Sequence, residues 1–167
     1  AFVFRMFPLT FIELGKKFQL NEALHWGTLP ELLELNSSVE KRRFLYSYGQ
    51  TYLKEEILEE QLIRHIEPFR YFLEVAAQNN GKIQNYSRIS REAGLDPKSS
   101  ERYFEILSDT LVGHFLPAYH RSIRKQQSTK PKFYFFDLGV ARALSNNIDI
   151  LLQPGTYSYG DAFEHFI

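Results

Sequence analysis

The sequence predicts a mainly α fold with one small β-hairpin, an α+β chain in which a helical lid segment precedes a compact second unit. Three observations carry this. Helix caps and stops at Ser37, Asp96 and Gly81 bound runs whose apolar residues recur three and four apart. Two aromatic and β-branched runs, LVGHFLPAY and KFYFFD, flank a polar loop over residues 120–131. The 167 residues are 44% hydrophobic and 16% aromatic, enough for the packed core of one ordinary domain or two small ones.

Residues 1–7 read as a short buried strand, and PLTFIELG as a turn into a short helix that stops at Gly15. Thr28 and Glu31 have capping-box spacing with Pro30 in the first turn, so a helix is expected to start at Thr28. Ser37 and Glu40 repeat the spacing and start a second helix. Its apolar positions include Phe44, Leu45, Tyr48, Tyr52, Ile57 and Leu58, with an interruption near Gly49. Acids and bases alternate from 40 to 66 at helical spacing, which describes a solvated face. Glu67 and Pro68 mark the next boundary.

The stretch PFRYFLEVAAQNNG is an amphipathic helix with Phe69, Phe72, Leu73 and Ala76 on one side, closed by Asn79, Asn80 and Gly81. A shorter helix follows in NYSRISREAG, and a third in DPKSSERYFEILSDT, capped by Asp96 with Pro97 at its first position. On this third helix Tyr103 and Leu107 face the core with Phe104 or Ile106, leaving Lys98, Glu101, Arg102 and Glu105 outward. Three helices and then a hairpin is the winged-helix order. LGVARALSN closes the unit as a short helix, NIDILLQPGTYSYG is a connector, and GDAFEHFI reads as the first turns of an amphipathic helix. Apolar segments at both ends give the expectation of a piece of a longer polypeptide.

Twenty basic and twenty acidic residues give zero formal charge, so any nucleic-acid binding must come from a local patch. That patch exists in the sequence. No acidic residue lies between Asp109 and Asp137, while Arg121, Arg124, Lys125, Lys130 and Lys132 sit in or beside the hairpin loop. A basic wing suits phosphate contact, so double-stranded DNA is one of two candidate partners, with Lys98 and Arg102 assisting from the third helix. Glu101 and Glu105 beside them leave the alternative open: a protein-interaction or oligomerisation module. No P-loop or G-x-G-x-x-G occurs, and the five histidines are scattered without an H-x-x-x-H pair. The chain has no cysteine, no run apolar enough to span a bilayer, and no visible catalytic apparatus; cytoplasm is the default location and no membrane partner is expected.

Several stretches taken in order, FRMFPLTFIELG, HWGTLPEL, YSYGQTYLKEEI, EPFRYFLEVAAQNNGKIQNYSRISREAGLDPKSSERYFEILSDTLVGHFLPAYHR and KPKFYFFDLGVARAL, resemble a family of prokaryotic AAA-type P-loop ATPases with a C-terminal domain of unknown function. The resemblance implies a parent protein in three parts. Residues 1–27 would end the ATPase core, 28–66 form a helical lid or connector, 67–147 the winged-helix-like domain, and 148–167 a linker and the start of a domain similar to PD-(D/E)xK nucleases. Glu164 in YGDAFEHFI would match a glutamate of that nuclease-like domain. ATP and Mg2+ are implied for the parent only, because the Walker A and B segments are missing from this chain; no cofactor and no turnover are expected of the chain itself.

Overall fold

The computed structural model describes residues 6–49, 66–119, 121 and 129–167, and it is mainly helical with one two-stranded antiparallel sheet. The first helix, α1 (Phe11–Leu14), is opened by a capping box in which Thr10 and Glu13 exchange hydrogen bonds, and it ends at Gly15. Met6 and Phe7, at the end of the expected first strand, are exposed and form no strand. There the chain leads directly into the Thr10 cap; residues 1–5 lie outside the described residues.

Helix α2 (Leu20–Trp26), which sequence reasoning did not anticipate, ends at Gly27. No helix starts at Thr28. Leu29 is extended and a 3-10 turn begins only at Pro30. Two causes converge: the residue before a proline is held out of the α region, and the Thr28 amide is already taken by Asp137 at 2.8 Å. The second capping box does form, Ser37 with Glu40, and opens α3 (Ser38–Ser47), which gives way to a wider turn at Tyr48 and Gly49. Leu45 is fully buried on it, while Tyr52, Ile57 and Leu58 lie outside the described residues.

Helix α4 (Ile66–Gln78) starts within two residues of the boundary expected at Glu67 and Pro68 and holds both in its first turn. A proline is tolerated there because its missing amide would have had no partner within the helix. Helix α5 (Tyr86–Glu92) is capped by Asn85, and α6 (Pro97–Asp109) by Asp96, whose carboxylate accepts the Lys98 and Ser99 amides. Strands β1 (Gly113–Leu116) and β2 (Lys132–Phe135) pair in the register Gly113 with Phe135 and Leu116 with Lys132. Helix α7 (Leu138–Leu144) follows β2 after Asp137, and α8 (Tyr157–Phe166) closes the chain.

The core joins these elements through aromatic rings. Phe69, Phe72, Phe104, Phe133 and Phe135 are fully buried, with Phe104 4.8 Å from both Phe72 and Phe133, ring centre to ring centre. Edge-to-face stacking of this kind adds to the burial term by about 1 kcal/mol per pair. Both Phe104 and Ile106 are buried on α6, as is Leu107, while Tyr103 is half-buried against Phe69 and Phe72.

A seam between the turn at Gly27 and Thr28 and the start of α7 positions everything after β2. Asp137 caps α7 by accepting the Val140 amide at 2.9 Å and reaches back to accept the Thr28 amide. Its carboxyl is buried, and burial pushes its pKa up to about 6. The seam is too tight for side chains at two glycines. A methyl group at Gly27 would stand 2.2 Å from the Asp137 carboxylate, and one at Gly139 would stand 1.8 Å from the Trp26 carbonyl oxygen. On the same helix Arg142 buries its guanidinium and donates to the carbonyls of Asn147 (2.9 Å) and Ile150 (2.5 Å), which fixes the turn leading to α8. Leu24, Leu138 and Ala162 then pack α2, α7 and α8 together.

Candidate functional site

The outward face of the hairpin carries the densest polar chemistry among the described residues. Alternation along β2 turns Phe133 and Phe135 into the core and leaves Lys132 and Tyr134 on the other face. There the Lys132 ammonium and the Tyr134 hydroxyl both donate to one carboxylate oxygen of Glu164 on α8. The next residue, His165, sets its ring edge-on to Tyr134 at 5.5 Å. Asn80, in the turn after α4, donates to His165 Nδ1 at 2.7 Å when the ring is neutral, and its carbonyl oxygen accepts the Phe135 amide at 2.9 Å. Lys132, Tyr134 and Asn80 thus hold Glu164 and His165, seating the end of α8 on the hairpin and on the exit of α4.

The electrostatics follow from this geometry. The hydrogen bonds from Lys132 and Tyr134 hold the Glu164 carboxyl below the usual carboxylate range, and the Glu164 bond raises Lys132. Burial and then Glu164 push the Tyr134 hydroxyl up. His165 is brought down to about 4 by burial, so it is neutral at ordinary pH and accepts from Asn80. The ion pair is half exposed, which places its stabilisation below about 1 kcal/mol.

Beside this cluster a cleft of about 720 Å³ is lined by Ile83, Leu116, Tyr119, Lys130 and Ile167, with His114 at its wall. Its apolar residues are open to solvent: Ile83 is 63% exposed, Leu116 52% and Tyr119 90%.

The bases expected to read nucleic acid are divided by the structure. Lys132 is joined to Glu164, the two candidate residues from opposite ends of the sequence reading meeting at one contact. Arg121 and Lys130 are exposed and make no ion pair among the described residues. Arg124 and Lys125 lie outside the described residues. Lys98 and Arg102 are exposed on α6, on the side they share with exposed Glu101 and Glu105. Those two acids also raise the Tyr86 hydroxyl on α5, after burial, so the outward side of α5 and α6 has a negative contribution that a phosphate backbone would meet.

The Glu164 carboxylate is engaged by a lysine and a tyrosine, and among the described residues no group of three or more His, Asp or Glu could hold a metal ion. Nor is any described helix long and apolar enough to cross a membrane. Asn80, Tyr134 and His165 were not singled out in the sequence. Asn80 was legible only as a helix stop, and nothing local to it signals a partner 85 positions away.

A family model described as a domain of unknown function (DUF8612) matches residues 17–149. Two uncharacterized proteins, from Mycobacterium tuberculosis and Mycobacterium bovis, are each 23% identical over 141 residues. The match takes in 84% of this chain but 32% of each relative, so the chain spans about a third of the length of the curated relatives it matches. No solved structure matches.

Proposed function

The chain belongs to the DUF8612 family, and on that premise we propose that it is a non-catalytic coupling and interaction module within a longer protein. The longer protein is, on this reading, a cytoplasmic AAA-type ATPase of the kind the sequence resembles, binding ATP and Mg2+ in a core separate from this module. The hairpin serves as a seat for protein and not as a wing for DNA. The observation that supports this is the contact of Lys132 and Tyr134 with Glu164: the one base on β2 is spent on α8. A neutralised lysine releases few counterions from a phosphate backbone, and counterion release supplies most of non-specific DNA affinity.

A second reading, contact with double-stranded DNA, is favoured by one observation. Lys98, Arg102, Arg121 and Lys130 are exposed and without ion pairs among the described residues. Titration of a labelled random duplex at low salt separates the two. The interaction module gives no saturable binding. Binding that weakens steeply with salt and disappears in the Arg124→Glu, Lys125→Glu double variant would sink the module reading and establish the second one.

A further inference from the structure

Where α4, α7 and α8 meet there is a second cleft, of about 250 Å³, and every residue that lines it is among the described ones. Ala77, Ala141 and Ala162 are buried in it, and with them Arg142, only 8% exposed; Lys82 and Asp161 stand at its exposed rim. Arg142 is short of partners. Its Nη2 donates to the carbonyls of Asn147 and Ile150, while its buried Nε has no acceptor. Nη1 makes no hydrogen bond and no carboxylate pairs with the guanidinium, among the described residues. Two carbonyls satisfy donors without cancelling the charge, and a buried charge without a counter-charge is unfavourable. An arginine does not escape by giving up its proton, so the cation stays and an anion is wanted. Burial accordingly lowers its pKa.

We propose that this cleft binds a short aliphatic monocarboxylate, whose carboxylate pairs with Arg142 and whose carbon chain lies against Ala77, Ala141 and Ala162. Charge sets the class. Arg142 and Lys82 outnumber Asp161, so the lining carries one net positive charge. A single carboxylate neutralises it, whereas the second charge of a phosphate would meet Asp161 at the rim. Size sets the length: a cavity of about 150 Å³ admits a benzene ring, so this one has room for a chain of about three or four carbons. The bound carboxylate ties α8 to α4 and α7. The inference goes beyond the interaction-module reading and does not rest on it, because the hairpin takes no part in this cleft.

The test titrates the chain with butyrate and follows the Arg142 Nε–H resonance by NMR, with thermal unfolding beside it. Butyramide, which has the same shape without the charge, and sodium chloride at equal ionic strength are the controls. Butyrate should shift the resonance saturably with a Kd of about 1–10 mM and raise the Tm, and the controls should do neither. Arg142→Gln should abolish the response, but it also removes the bonds to Asn147 and Ile150, so the exposed rim decides. Lys82→Glu should weaken butyrate about fivefold, and Asp161→Asn should tighten it about twofold. No saturable shift, an equal shift with butyramide or chloride, or rim variants that bind like wild type overturns the proposal. Inorganic phosphate binding more tightly than butyrate overturns the carboxylate class. If the cation is instead neutralised by a carboxylate elsewhere in the longer protein, Arg142 in that protein will not respond to butyrate, and the small-molecule site falls.

Discussion

Asp137 and Glu164 each use a carboxylate to join distant parts of the chain, and they do so in opposite ways. Asp137 is 3% exposed and accepts backbone amides from Thr28 and Val140; Glu164 is exposed and accepts side chains from Lys132 and Tyr134. Burial raises the first carboxyl to about 6, while hydrogen bonds lower the second. A buried carboxylate that binds amides dictates the path of the backbone, and the two glycines packed against the seam leave that path no slack. An exposed carboxylate that binds long side chains can let go and re-form with little loss. The seam is therefore architecture, and the seat of α8 is an adjustable contact.

The largest way to break this contrast is Gly139→Ala, whose methyl group would have to displace the Trp26 carbonyl. Urea denaturation should register a loss of about 3 kcal/mol or more. Asp137→Ala leaves the buried Thr28 amide without an acceptor and α7 without its cap, and should cost about 2–4 kcal/mol in the same measurement. The pH dependence sharpens the point. Because the folded pKa of Asp137 is raised from 3.8 to about 6, its neutral form is favoured in the native state. Its contribution is present in full below pH 3.8 and is lost as pH rises through about 6. Relative to Asp137→Asn, which does not titrate, the wild type should lose about 2–3 kcal/mol across that window, measured by unfolding at pH 4 and pH 7. At the other contact, Lys132→Ala should cost less than about 1 kcal/mol, and less still in high salt. Lys130→Glu, on the open cleft, should stay within about 0.5 kcal/mol of wild type by thermal unfolding.

The same contrast explains what could be read from the sequence. Asp96 with Pro97, Ser37 with Glu40, and Asn79 to Gly81 act within a turn of themselves, and each does in the structure what its spacing implies. The Thr10 and Glu13 box had the same local signature and was there to be read. Thr28 and Glu31 had that signature too, and it misled, because the competitor for the Thr28 amide sits 109 positions away. The charged loop was legible as composition, but the pairing of Lys132 with Glu164 depends on α8 folding back over β2, which no local pattern encodes. Local rules reach the elements; the site is made where distant elements meet.

The span of the bond from Asp137 to Thr28 also sets an order of assembly. The caps of α1, α3 and α6 close within three positions, whereas the seam closes a loop of 109. Loop-closure entropy makes such a contact wait until α4, α5, α6 and the hairpin have collapsed around their phenylalanines. A bond absent from the transition state acts on the rate of leaving the native state, not on the rate of reaching it. In stopped-flow measurements, Asp137→Ala should accelerate unfolding by more than it slows refolding, the smaller effect coming from the lost local cap of α7, so the seam is the latch that sets how long the folded chain lasts.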